Sequence, residues 1–244
     1  ILKPGAQFSA VKSLGRIDES AGFKPELVIK EDQLVPEVGG GLCQVSTTLF
    51  RAALNAGLQI DERRNHRFRV SYYEAKVPNP HPEDYVSLNA DTLVGLDATI
   101  YDPTPDFKFT NDTGNYILIQ GKVEGTRLTF ELFGTKDGRS VNLEGPFITA
   151  TIPAPTEIQY IDDPTMPAGT TKIKEKAVAG TKTTTTYVVT KEGKQLHRKV
   201  FTSSYVPWQR KDYRGTGPAA PVTPSPEAPA PSPTPTAEAA PTPA

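Results

Sequence analysis

The stretch Gly39-Gly40-Gly41-Leu42-Cys43-Gln44-Val45-Ser46-Thr47-Thr48-Leu49-Phe50-Arg51-Ala52-Ala53-Leu54-Asn55-Ala56-Gly57-Leu58 decides how this chain is read. From Cys43 onward Val45, Leu49, Ala52, Ala53 and Ala56 recur at helical spacing, which predicts one long amphipathic helix with these residues as its core stripe. The glycines ahead of it permit backbone conformations that a Cβ resists. Gly57 is a left-handed stop, and Leu58 supplies the apolar contact that follows such a stop.

Around this helix the pattern is one of short strands. Gln7–Val11, Leu27–Lys30 and Gln33–Val35 precede it, broken by Gly and Pro, while Phe68, Val70 and Tyr72 alternate with polar residues after it. A Pro, Asn and Asp-rich loop fills 78–93. Strand-like runs return at Asp97–Tyr101, Tyr116–Lys122 and Thr126–Phe133, with turns at Gly125 and at Asp137-Gly138. One long helix followed by antiparallel-looking strands predicts an α+β domain over residues 1–150. Residues 155–216 change texture, with dense threonine, recurrent glycine and the β-branched run Tyr187-Val188-Val189. They read as a small antiparallel all-β module with little core.

The chain has 244 residues, of which 36% are hydrophobic, and the apolar deficit is concentrated at the C-terminal end. Ten of the 24 prolines lie in 218–244 and no large aliphatic residue follows Val222. Such a segment cannot bury enough apolar surface to offset its ordering entropy, so 217–244 is expected to be a disordered, extended tail. The 27 basic and 28 acidic residues are well mixed, which argues against a nucleic-acid partner. No apolar run is long enough to span a membrane. Ile1-Leu2-Lys3-Pro4-Gly5 reads as the interior of a domain, which suggests a fragment or processed chain whose export signal lay upstream.

Several blocks in order carry a family resemblance: Pro4-Gly5 with Phe8-Ser9, then Gly39–Leu49, then Glu62-Arg63-Arg64-Asn65-His66, then Gly95-Leu96-Asp97-Ala98-Thr99, then Asp106–Asn111. Together they resemble the VanW family over residues 1 to about 135. Arg67 departs from the pattern, where the family usually has Ser. Residues 155–216 are similar to the G-five module, through Ala168-Gly169-Thr170, Ala179-Gly180-Thr181, the Tyr187 strand, Gly193-Lys194 and Gly215-Thr216. The resemblance implies a bacterial cell-surface protein, extracellular or wall-associated, whose partner is peptidoglycan or an N-acetylglucosamine-containing wall polymer. It implies no cofactor.

Cys43 is the one cysteine, so it forms no internal disulfide. It reads either as a buried small hydrophobe or as a thiol kept for its chemistry. A thiol at a helix start faces unpaired N–H groups and the positive end of the helix dipole, both of which favour thiolate. The order Gly-rich approach, Cys, helix, His and later Asp is similar to that of transglutaminase-like and papain-type thiol enzymes. On that reading Cys43 is the nucleophile, His66 its general base and Asp97 the carboxylate that orients the imidazole. Gly40, Gly41 and Gln44 would line the substrate site, the Gln44 N–H stabilising an oxyanion. Arg63 or Arg64 would clamp a stem-peptide carboxylate. The plainer alternatives are a core-facing Cys43, a structural His66, an Asp97 that caps a turn, and surface ion pairs at Arg63 and Arg64. His81 and His197 stand without evident partners, and one Cys with scattered His spells no zinc site. Trp208, Tyr205 and Tyr213 serve either to stack on sugar rings or to cover a thin core. A non-catalytic peptidoglycan binder or scaffold is the rival function.

Overall fold

The computed structural model of the chain describes residues 1–30, 33–74 and 93–218. Most of the loop expected at 78–93, His81 with it, and nearly all of the expected tail fall outside these residues.

The first half of the chain is organised around the quoted helix. Strand β1 (Gln7–Ser9) runs into a short helix α1 (Ala10–Leu14), and β2 (Pro25–Lys30) pairs with β3 (Gln33–Val38) as an antiparallel hairpin. Helix α2 (Leu42–Asn55) follows, then β4 (Gln59–Glu62) and, beyond residue 93, β5 (Lys108–Thr110). Strands β1, β5 and β4 form a three-stranded antiparallel sheet with β5 in the centre. A hairpin of β6 (Leu118–Glu124) and β7 (Arg127–Phe133) completes this half. The α+β class expected for it is compatible with these elements, although the described chain is mostly strand.

Helix α2 starts and stops as its glycines dictate. Gly41 is the N-cap with φ +86°, a left-handed conformation that a residue with a β-carbon adopts only at a cost. At the other end Leu58 N donates to Ala53 O at 3.2 Å and Gly57 N to Leu54 O at 3.0 Å, the paired bonds of a Schellman stop. The buried face is Ser46, Thr47, Leu49, Phe50, Ala53 and Leu54. This corrects the expected stripe: Leu49 and Ala53 are in it, whereas Val45, Ala52 and Ala56 are only half-buried. The shift arises because Phe50 and Leu54 face a second packing layer that periodicity over small residues does not reveal.

Two expected strands are absent. Residues 97–101 form no strand, because side chains of α2 and neighbouring chain take up their polar groups, Thr99 N going to Arg64 O. Thr47 Oγ1 accepts from Ala98 N at 3.0 Å, and Arg51 Nε donates to Leu96 O at 2.8 Å. The alternation at Phe68, Val70 and Tyr72 leads instead into a single 3₁₀ turn, Ser71–Tyr73, with Phe68 buried against the Trp208 ring at 4.2 Å.

The second half is built from β8 (Arg139–Ile152), β9 (Gln159–Pro167), β10 (Thr171–Glu175), β11 (Gly180–Lys191), β12 (Lys194–Tyr205) and β13 (Lys211–Gly217). One sheet has the order β12-β11-β8, and β8 runs through residue 150. The other has the order β10-β13-β9, with β9 and β13 parallel, so the module is not antiparallel throughout as expected. Along β11, residues at period two alternate between buried and half-exposed, as a strand with one covered face should.

What covers that face is the first half of the chain. Tyr187, Val189 and Phe201 are buried in one cluster with Phe50, Leu54, Leu58, Phe107 and Phe109. Each such side chain contributes roughly 1.5–3 kcal/mol on burial. Tyr187 also donates its hydroxyl to Leu58 O at 3.0 Å, with Leu54 O at 3.3 Å, and so ties the strand to the helix stop. The module's thin core is therefore a shared one.

Candidate thiol site at the start of the long helix

Cys43 is the second residue of α2, half-buried, with its Sγ 3.4 Å from Thr99 Oγ1 and 3.5 Å from Ile100 O. The amides of Leu42, Gln44 and Val45 are donated to the Gly39 and Gly41 carbonyls. The sulfur thus belongs to the first helical turn, the positive end of the helix dipole.

His66 reaches the same place from the chain that leaves β4. That chain runs beside residues 97–99, pinned where Thr99 N donates to Arg64 O at 2.8 Å. The imidazole Nδ1 lies 2.5 Å from Asp97 Oδ2, and the His66 backbone N–H donates to the same oxygen at 2.8 Å. With Nδ1 occupied, Nε2 is the nitrogen left for the thiol, and the nearby ring favours a charged Cys43. The Tyr73 ring covers the imidazole with centroids 5.1 Å apart. Cys43, His66 and Asp97 are therefore brought together in one chain of interacting groups, with His66 hydrogen-bonded to Asp97.

The electrostatics follow from that chain. Burial opposes the thiolate of Cys43, but the bond to His66, its charge, and contacts from Thr99 and Ile100 outweigh it and hold the thiol below its ordinary value. For His66, burial disfavours the cation, yet the bonds to Asp97 and Cys43 and their charges lift it to about 9. Asp97 is likewise penalised by burial, and His66 and Arg63 hold it down at about 2. The geometry favours a thiolate–imidazolium pair with a charged carboxylate behind it.

Asp97 is only 3% exposed, and its other oxygen is saturated from behind. Oδ1 accepts from Arg63 Nη2 at 3.1 Å and from the Tyr205 hydroxyl. Arg63 further donates to Asp97 O at 2.5 Å, Gly95 O at 2.6 Å and Ser203 Oγ at 2.9 Å, and lies over the Phe50 ring.

The structure corrects several expected site roles. Arg63, with a side chain 3% exposed, is spent on these internal partners and cannot clamp a substrate carboxylate; Arg64 is the exposed one of the pair. The Gln44 N–H is given to Gly41 O at 3.0 Å, so it is not an oxyanion donor, although the Gln44 side chain is exposed. Gly40 serves a close approach: a β-carbon there would come within 2.4 Å of Glu26 Cβ on β2. Gly41 is the cap. His197 has a partner after all, its Nε2 2.5 Å from Asp112 Oδ2. Trp208 donates to Glu175 at 2.7 Å and lies under Lys211. Thr99, Tyr73 and Ser203 line the site without having been singled out in the sequence, and Tyr205, expected to stack on sugar or cover the core, is buried against Asp97. Of the first three only Thr99 carried a signal, as the last residue of the Gly95–Thr99 block. Among the described residues no group of three His, Cys, Asp or Glu could hold a metal ion, and no helix is long and apolar enough to cross a membrane.

Comparison with known proteins agrees with the two-part reading of the sequence. Residues 1–133 match the family described as VanW like protein, and residues 148–215 match the G5 domain. An uncharacterized protein YoaR of Bacillus subtilis (strain 168) is 34% identical over 135 residues, 55% of this chain and 38% of that protein. The vancomycin B-type resistance protein VanW of Enterococcus faecalis (strain ATCC 700802 / V583) is 28% identical over 141 residues, 58% of this chain and 46% of that protein. The chain thus spans less than half the length of either relative. A solved IgA1 protease G5 domain aligns with 32% of this chain and 93% of its own, at 22% identity and a TM-score of 0.21, too slight a likeness to argue from.

Proposed function

The chain belongs to the VanW family, and on that footing we propose that it is a cell-envelope thiol enzyme acting on amide bonds of peptidoglycan stem peptides. The observation that carries this reading is the convergence of Cys43, His66 and Asp97 at the mouth of α2. The Cys43 thiolate attacks the scissile carbonyl carbon, and the oxyanion that forms is met by the Cys43 amide and the helix dipole. Thr99, whose hydroxyl can donate to sulfur, steadies the thiolate before attack. The His66 imidazolium passes its proton to the leaving amine as the tetrahedral adduct collapses to a thioester. Water or a second amine then releases the acyl group, with His66 accepting the incoming proton. Arg64 and the Gln44 side chain, both exposed, would bind substrate.

The vancomycin-resistance name of one relative supports the choice of wall peptide. The G5 match supports a second role, attachment of residues 148–215 to an N-acetylglucosamine-containing wall polymer. A non-catalytic binder remains the rival, with the same fold and no turnover. Purified muropeptides incubated with the protein and with Cys43→Ala separate the two: new products from the first protein alone are expected. Equal product from both, or none from either, would sink the enzyme.

A further inference from the structure

The second module does more than follow the thiol site in sequence. Strand β12 crosses behind Asp97 and presents Ser203 and Tyr205, both buried, from the same face at period two. The Tyr205 hydroxyl donates to Asp97 Oδ1, the oxygen that also receives Arg63, and this leaves Oδ2 for His66 alone. Ser203 accepts from Arg63 Nη1 at 2.9 Å and donates to Gly95 O at 2.8 Å, so it holds both the arginine and the turn that leads into Asp97. Without these contacts Oδ1 would keep Arg63 alone, an arginine that would itself have lost its Ser203 partner, and the carboxylate's orientation would rest on that bond and on His66.

We propose that the site is a composite of both modules, with Tyr205 acting as a positioning residue that aims the Asp97 carboxylate at the His66 imidazole. This rests on the thiol reading above. In the VanW-like half alone Asp97 would lack one of its donors, so the G5-like half is a working part of the site in addition to any polymer attachment. Tyr205 touches no reacting atom; it acts only through Asp97 and then His66. An enzyme arranged this way is complete only when the second module is seated, which ties reactivity of the thiol to docking of the β12 sheet.

The test uses the full chain and its single cysteine. The rate of alkylation by iodoacetamide is followed from pH 4 to 10 in the wild-type protein and in Tyr205→Phe, a change that removes one oxygen and keeps the buried ring. The His66 Nδ1 proton resonance is recorded for both. Wild type is expected to hold a high alkylation rate well below the ordinary thiol range. Tyr205→Phe should lose about tenfold of that rate near pH 6 and broaden or shift the His66 resonance, while far-UV circular dichroism stays unchanged. Profiles and resonances that superimpose would overturn the positioning role while leaving the proposed function intact. An ordinary thiol profile in the wild type itself would overturn both. Should Tyr205→Phe fail to fold, Ser203→Ala loosens the same support through Arg63 and is read by the same two measurements.

Discussion

Gly95 lies against Thr183 with no room for a side chain between them: a β-carbon on Gly95 would come within 2.0 Å of Thr183 Oγ1. The glycine is at φ +85°, belongs to the turn before Asp97, and meets β11 of the second module. Gly95→Ala is therefore expected to push the two modules apart and to strain the turn at once. The cost should be about 2–4 kcal/mol, or a fall in Tm of about 2–4 °C for each kcal/mol. Calorimetry checks the size; an alanine variant as stable as wild type would mean that the junction is looser than the contact implies.

Replacing His66 with Ala leaves Cys43 buried without the bond and charge that lower it. Burial is the largest influence on this thiol and it acts upward. The alkylation profile of His66→Ala should therefore move past the ordinary thiol value, opposite to the wild-type displacement. Turnover of any substrate should fall about 10²–10⁴-fold, the usual worth of a positioned base. A profile unchanged by the substitution would show that the imidazole does not set the thiolate.

Asp97 gives a pH dependence on the acid side. Its carboxyl sits at about 2 in the folded protein against an ordinary value of 3.8, so near pH 3 the unfolded chain binds a proton that the folded one does not. The stabilisation is complete above pH 3.8 and is lost as pH falls through 2. The unfolding free energy from urea denaturation between pH 4 and 2 should fall more steeply for wild type than for Asp97→Asn, by at most about 1.4 kcal/mol per pH unit. Parallel slopes would place the charge elsewhere.

Tyr187 ties the end of α2 to β11 through its hydroxyl. Tyr187→Phe keeps the ring and strands the Leu58 carbonyl, so a loss of about 1–2 kcal/mol in urea denaturation is expected. Because this contact lies at the far end of the helix from Cys43, the alkylation profile should not move. A shift in that profile would show that the helix transmits strain along its length.

Gly40 meets Glu26 so closely that Gly40→Ala must displace either β2 or the start of α2. Both thermal stability and the thiol profile are expected to change, the first by about 1–3 kcal/mol. Stability lost without any change at the thiol would mean that β2 yields and the helix mouth stays in place.

Much of this was legible in the order of residues. The long helix, its glycine start and its Gly57-Leu58 stop follow from local backbone chemistry, which needs no distant partner to express itself. The placement of a cysteine in the first helical turn comes with them. Where the reading failed, the deciding force lay outside the segment. The run at 97–101 has the composition of a strand, yet Thr47 and Arg63 offer it hydrogen bonds first, and no pattern within 97–101 records that. Arg63 beside Asp61 and Glu62 looks like a surface charge, and only the fold turns it inward under Phe50 and Ser203.

The sequence by itself determined the long helix, the thiol at its positive end, and the two-part organisation that the family matches share, because these depend on spacing and on residue type at neighbouring positions. The tertiary structure alone decided that His66 and Asp97 meet that thiol and that Tyr205 stands behind Asp97 from 108 residues away along the chain. Local propensity cannot encode such meetings, since closing long loops is favoured only once the shared apolar core of Tyr187, Phe201 and Phe50 has drawn the two halves together.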